Sequence, residues 1–316
     1  MGKRSYDLGF RLGTGLFGVV LVLVVVAIGF ELTRQSMLSI QKFGFNFWRT
    51  EIWDPVAGNF GALPFIWGTL YSSILALLLA APIALGIAVF ISELSPAALR
   101  QPLVFLTELL AAIPSIVYGL WGIFVMVPAV RAFETAMPAS LRQWPVLSGP
   151  PFGVGMLSAG LILAIMVIPF TSSVAREVLK SVPLAQREGA YALGATRFEA
   201  IAAALFYART GIVGAVMLGF GRALGETMAV TMVIGNNPQV SLSLFAPQYT
   251  MAAVIANEFT EAADELYLGA LIEIGLVLFV ITLIVNSLSR LLIWSMALSA
   301  KTAPAPAAST PAEAVA

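Results

Sequence analysis

The sequence has no cysteine and no histidine. The first absence excludes disulfides and thiolate nucleophiles, the second excludes imidazole bases, and together they remove the commonest ligands of zinc. Charge is scarce as well: 11% of the 316 residues are Asp, Glu, Lys or Arg, where an ordinary soluble domain carries roughly a quarter. Lys and Arg number 17, and so do Asp and Glu, so no excess of one sign points to nucleic acid. Also missing is any G-x-x-x-x-G-K-[ST] segment. Without that phosphate-cradling loop the chain cannot hydrolyse ATP by the chemistry it supports.

What is abundant is apolar sequence, at 59% of residues. Runs long enough to cross about 30 Å of hydrocarbon occur at 12–30, 65–91, 102–130, 153–175, 210–235 and 266–298. These predict an all-α polytopic membrane protein of about six transmembrane helices. The first run follows Lys3, Arg4 and Arg11, is too long for a signal-peptide core and ends without an A-x-A-like site, so it reads as an uncleaved span. Pro82, Pro114, Pro128 and Pro169 fall in or near the runs and are expected to kink or end helices. The organisation is thus a short N-terminus at 1–11, a transmembrane domain over 12–298, and an Ala/Pro-rich tail at 299–316 expected to be disordered. No internal repeat is visible, which weighs against a secondary transporter built from inverted repeats.

Basic residues orient the spans. Lys3, Arg4, Arg11, Arg100, Arg176, Lys180, Arg187, Arg197, Arg209, Arg290 and Lys301 fall on one side of this arrangement; Arg34, Lys42, Arg49, Arg131 and Arg142 fall on the other. The richer side is cytoplasmic by the positive-inside rule, which places both termini inside. The external loops are then 31–64, 131–152 and 236–265, the last with four acids and no Lys or Arg.

Between the fourth and fifth runs lies a polar cytoplasmic stretch, 180–199. Pro183 suits the first turn of a helix, Gly194 suits its left-handed cap, and Thr196 with Glu199 forms a capping box for the next helix. Local chemistry alone describes a connector made of a short helix, a tight turn and a second helix. The residues add more: Glu188-Gly189-Ala190, three residues, then Gly194 resembles the E-A-A-x-x-x-G element of ABC importer permeases. That resemblance implies that 183–208 is a coupling loop docking on a cytoplasmic ATPase. Two departures stand out: Gly189 replaces the middle Ala, and Leu205-Phe206-Tyr207 replaces the usual Leu-Pro.

Inside the fifth run stand Arg222 and Glu226, four apart and so expected on one helix face. A charge at mid-membrane costs about 2.5–3.5 kcal/mol on insertion scales, so both groups are expected to face protein or an aqueous path. They read either as a structural ion pair or as a gate and anion contact, and the sequence leaves both open. Gly211, Ala215 and Gly219 on the same run permit close approach of a neighbouring helix.

The segment Gly221-Arg222-Ala223-Leu224-Gly225-Glu226-Thr227-Met228-Ala229-Val230 resembles the signature of phosphate-importer permeases of the PstC type. The segment from Glu108 to Gly122, which includes Ser115, resembles a second part of the same family. The resemblance covers roughly 65–298 and implies a type I ABC importer permease fold in the bacterial inner membrane. It further implies a second homologous permease, an ATPase dimer that binds ATP and Mg, and an external phosphate-binding protein; this chain itself would hold no cofactor or metal and catalyse nothing. Arg222, Glu226 and Thr227 are then the candidate pathway or gate residues, with Glu108, Ser115 and Glu273 as further candidates. Tyr118 and Trp121 read as packing aromatics. The alternatives kept are a permease for another oxyanion and an ion-coupled carrier or channel using Glu226, Glu108 and Glu273 as a relay, which would leave the docking element unexplained.

Overall fold

The computed structural model describes the backbone of residues 2–301, so the tail at 302–316 and the expectation attached to it lie outside the described residues. In chain order come α1 (Gly2–Gln35), α2 (Met37–Phe43) with a 3-10 turn (Gly44–Trp48), and α3 (Leu63–Val89), which ends in a π-helical turn (Phe90–Leu94). Next are α4 (Ala97–Ala112), α5 (Ser115–Trp121), a π turn (Gly122–Met126), α6 (Val127–Ala136) and α7 (Ala139–Arg142). The chain continues through α8 (Met156–Lys180), α9 (Leu184–Ala192), α10 (Arg197–Leu224), α11 (Met228–Val233), α12 (Met251–Glu258) and α13 (Glu265–Lys301). Two isolated bridges, Asp54 with Asn59 and Gly235 with Gln248, are the β-type pairings among the described residues.

Six helical stretches are long and apolar enough to cross a bilayer: Phe10–Gln35, Leu63–Leu94, Ser115–Ala136, Met156–Lys180, Arg197–Leu224 and Glu265–Met296. The chain is therefore an all-α multi-pass membrane protein, with the expected number of spans. Two of them differ from expectation. The run 102–130 is not one helix: α4 stops at Ala112, Ile113 is extended (ψ 129°), and Pro114 caps the separate α5. The pyrrolidine ring disfavours the helical region for the preceding residue, which forces the break. The fifth span begins far earlier than 210, because α10 runs unbroken through Leu205-Phe206-Tyr207; with no proline there, nothing stops the helix.

The structure divides into two units. One comprises the chain through Leu75, Pro114–Leu163 and Leu224–Thr282. Its core is aromatic: Phe47, Phe60, Phe65 and Tyr249 are buried with Met251, Leu271 and Ile274. Trp53 meets Phe60 and Phe65 edge-on at 4.8 Å, and Glu258 accepts from Trp53 Nε1 (2.8 Å) and Tyr267 Oη (2.6 Å). The stretch 236–250, expected as part of an external loop, is irregular and packs into this unit through buried Phe245, Gln248 and Tyr249. Its irregular backbone is satisfied by side chains and by other backbone: Trp67 Nε1 donates to the Ser241 carbonyl and Tyr71 Oη to that of Leu242, both at 2.9 Å, Leu244 N donates to the Val146 carbonyl at 2.8 Å, and just beyond the stretch Met251 N donates to Thr69 Oγ1. Such backbone persists in a membrane protein only when protein or water supplies its partners. Burial holds the Tyr249 phenol above its ordinary pKa.

The other unit comprises Ala76–Ile113, Ala164–Ala223 and the chain from Leu283. Here the core is made of small residues, Ala88, Ala175, Ala204, Ala208 and Ala215, with Leu179 and Val182. The expected close approach is present. A Cβ at Gly211 would stand 2.6 Å from Val178 Cγ1, and one at Gly219 would stand 2.9 Å from Val167 Cγ1. Small residues let α8 and α10 pack at a distance where dispersion, rather than water exclusion, holds helices together in lipid.

Candidate functional site

The stretch 180–199 folds as its capping residues dictate. Pro183 (φ −56°, ψ 139°) stands just ahead of α9 rather than inside its first turn, and so acts as its N-cap. At the other end Gly194 adopts φ +82°. Gly194 N donates to the Tyr191 carbonyl at 2.9 Å and Ala195 N to that of Ala190 at 3.1 Å, the paired bonds of a Schellman cap. The following capping box is reciprocal: Thr196 N donates to Glu199 Oε2 at 2.7 Å, and Glu199 N to Thr196 Oγ1 at 3.4 Å.

The result is a helix, a turn and a helix with an unusual outward surface. Glu188, Gly189 and Gly194 are exposed, and Ala190 is half-buried. Leu184 and Tyr191 are exposed beside them, Leu193 is 90% exposed and Phe198 79%. Arg187, by contrast, turns inward. A soluble loop would place these groups the other way round, and an exposed apolar patch of this kind marks an interaction surface.

The second candidate site is a break in the fifth apolar run. α10 ends at Leu224, Gly225 to Thr227 leave the helix, and α11 resumes at Met228. Arg222 and Glu226 therefore do not share a helix face, which corrects the spacing argument. Gly225 has the backbone freedom to leave the helix, and Thr227 (φ −112°, ψ −67°) stands ahead of α11 as its N-cap. Glu226 sits in the break, where its Oε1 accepts from Ala229 N at 3.4 Å and Thr227 O accepts from Thr231 N at 3.0 Å. Arg222 is exposed near the end of α10, its guanidinium 5.4 Å from the centre of the Phe170 ring, a weak cation–π contact. α11 packs tightly on α5 and the π turn after it: a Cβ at Gly119 would stand 3.1 Å from Ala229 Cα, and one at Gly122, which opens the π turn, would stand 2.9 Å from Val233 Cγ1.

The remaining candidates are scattered. Glu108 lies on α4 and Ser115 opens α5, so they do not share the single span expected for them. Glu108 is exposed and pairs at 3.2 Å with Arg176, which also meets Glu177 at 2.9 Å. Glu273 is 3% exposed on α13. It lines a cavity of about 220 Å³ with Trp48 and Phe45, and its Oε2 has no hydrogen-bond partner. Sequence reasoning missed Glu134, whose buried Oε2 accepts from Gly153 N at 2.8 Å, and it missed Glu93, the partner of Arg187. Each partner lies far away in sequence; the available signal was an acid at the edge of an apolar run.

Residues 82–297 match the family of binding-protein-dependent transport system inner membrane components. The phosphate transport system permease protein PstC of Pasteurella multocida (strain Pm70) is 48% identical over 302 residues, 93% of each chain. That of Mesorhizobium japonicum (strain LMG 29417 / CECT 9101 / MAFF 303099) is 43% identical over 292 residues, 90% of this chain and 89% of the relative. Among solved structures, a chain of the inward-facing MetNI methionine ABC transporter superposes with a TM-score of 0.56 at 15% identity, covering 73% of this chain and 94% of that one. At that identity the likeness bears on the fold alone. Outward apolar helices, a capped helix–turn–helix, a broken fifth span and near full-length similarity to PstC proteins converge on one assignment: the chain belongs to the binding-protein-dependent transport system inner membrane component family, in its PstC branch.

Proposed function

We propose that this chain is the permease subunit of an ATP-driven importer that moves inorganic phosphate across the bacterial inner membrane, with both termini in the cytoplasm. The observation that carries the mechanism is the inverted surface of 184–198: apolar Leu184, Leu193 and Phe198 face out while Arg187 faces in. A patch of this kind at the cytoplasmic side fits a protein partner, and a chain without a phosphate-cradling loop needs one that hydrolyses ATP. That partner is an ATPase dimer, which holds the ATP and Mg; a second homologous permease and an external phosphate-binding protein complete the assembly. The cargo rests on the PstC relatives and on the Arg222 to Val230 segment, which resembles the signature of that branch. Arg222, Glu226 and Thr227 serve the pathway. Arg supplies a planar fork of donors for two phosphate oxygens, and a nearby carboxylate keeps the anion from binding too tightly to leave. Of the other candidates, Glu108 has a structural account in its pair with Arg176, while Ser115, from the family-like segment, and buried Glu273 stay candidates for the pathway.

Gly194→Val tests the docking role. A side chain in the left-handed region costs about 1–2 kcal/mol, and a β-branched one more. The variant is expected to insert normally, lose co-purification with the ATPase, and lose phosphate-driven ATP hydrolysis. Full co-purification and full hydrolysis at normal expression would make 183–208 an ordinary connector.

A further inference from the structure

Three arginines, two of them more than 90 residues away in sequence, converge on the end of α3. That end is a π-helical turn, Phe90–Leu94, a geometry frequent at functional positions. Arg187 Nη2 donates to Glu93 Oε1 at 2.6 Å and Arg187 Nε to Glu93 Oε2 at 3.3 Å, a two-pronged match of guanidinium to carboxylate. Arg197 Nη2 donates to the Glu93 carbonyl at 2.6 Å, and Arg100 Nη2 to the Ser92 carbonyl at 3.3 Å. These cations sit where a helix leaves its last carbonyls without partners and carries partial negative charge.

Arg187 reaches a second helix end as well. Its Nη2 donates to the Leu179 carbonyl and its Nη1 to the Val182 carbonyl, both at 3.0 Å. One side chain of α9 thus grips the end of α3 through Glu93, the end of α8 through the Leu179 carbonyl and the connection after α8 through the Val182 carbonyl. The side chains of Arg187 and Glu93 are 18% and 13% exposed, so water and salt screen the pair far less than a surface ion pair. Arg187 also directly precedes Glu188, on the helix whose opposite side is exposed.

We infer that the Arg187–Glu93 clamp is the transmission between the docking helix and the spans. Displacement of α9 is passed to the ends of α3 and α8 together, because the clamp makes the three move as one body. Without it, the short connection from Lys180 to Pro183 would bend and absorb the motion. Arg187 and Glu93 are positioning residues; neither touches the cargo. The inference rests on the reading of α9 as the ATPase contact, and the test separates the two.

Because the chain has no cysteine, Ala185→Cys gives a single thiol on the exposed side of α9 for a cysteine-to-lysine cross-linker in the assembled complex. A cross-link to the ATPase is expected; its absence would remove the docking reading, and the clamp with it. Adding Glu93→Gln should keep the cross-link and continued ATP hydrolysis while phosphate moved per ATP falls by at least about tenfold, within the range typical of coupling between sites. Glu93→Asp, which keeps the charge, should recover part of that ratio, which a purely structural role would not predict at equal assembly. If Glu93→Gln retains both the cross-link and the unaltered ratio, the clamp does not transmit motion. Should Glu93→Gln fail to assemble, Arg197→Gln removes a single bond to the same turn. A lowered ratio in that variant supports the inference, and an unchanged one overturns it.

Discussion

Arg222→Met, Glu226→Gln and the double variant are all expected to abolish phosphate uptake in complexes that still assemble. The geometry gives the reason. Were the two charges a structural pair on one helix face, removing both would be tolerated, because replacing a whole buried pair is often neutral while removing one partner strands a charge. The helix ends at Leu224 and Glu226 lies in the break beyond it, so that face does not exist. Arg222 is exposed beside Phe170 and Glu226 accepts a backbone bond from Ala229, so neither group depends on the other for its placement. Each hydrogen bond to a charged group contributes about 1.5–3 kcal/mol, and losing an Arg fork costs two of them. That corresponds to about 100-fold or more in the affinity of the anion contact. The check is uptake normalised to assembled complex; near-normal uptake by the double variant would show that these charges serve the fold and not the path.

Gly68→Ala is expected to prevent folding of the unit to which it belongs. Gly68 lies on α3 where the carbonyl of Tyr249 crosses it, and an added Cβ would overlap that backbone atom. Overpacking against side chains typically costs about 1–3 kcal/mol. Here the obstacle is backbone, held in place by the Met251 N bond to Thr69 Oγ1 and the buried Tyr249 ring, so the cost is larger and relaxation would dislodge 236–250 from the core. Gly86 on the same helix meets nothing within 4 Å. Gly86→Ala should therefore be neutral or stabilising by about 0.5–1 kcal/mol, the helical cost of glycine. Membrane levels and thermal aggregation of the two variants, compared side by side, read the difference; equal behaviour would contradict the packing described.

What could be read from the sequence follows the range of the forces involved. The spans were legible because an apolar run of sufficient length has few alternatives in a cell. The Thr196–Glu199 box and the Gly194 cap were legible because capping is a contact between near neighbours, and both appear with the expected bonds. The break at Gly225 was not, since periodicity treats every residue as helical and so placed Arg222 and Glu226 on one face. Pro114 was legible as a place where a helix kinks or ends, and α4 does end just before it. Least legible were the contacts between distant residues. The stretch 236–250 has loop composition, and partners such as Trp67 and Tyr71, more than 170 positions earlier, help to pack it into the unit. The Glu93 side chain likewise gains its meaning from Arg187, 94 residues away.

The central claim is that this chain moves phosphate inward by drawing on ATP hydrolysis in a partner. Its most direct test is phosphate accumulation in liposomes holding the assembled complex, with ATP on the ATPase side and the phosphate-binding protein on the other. The account predicts accumulation that requires ATP, the ATPase and the binding protein together, with ATP hydrolysis stimulated by phosphate. Accumulation that persists without ATP and follows an imposed proton or sodium gradient would contradict it, and would make the chain an ion-coupled carrier.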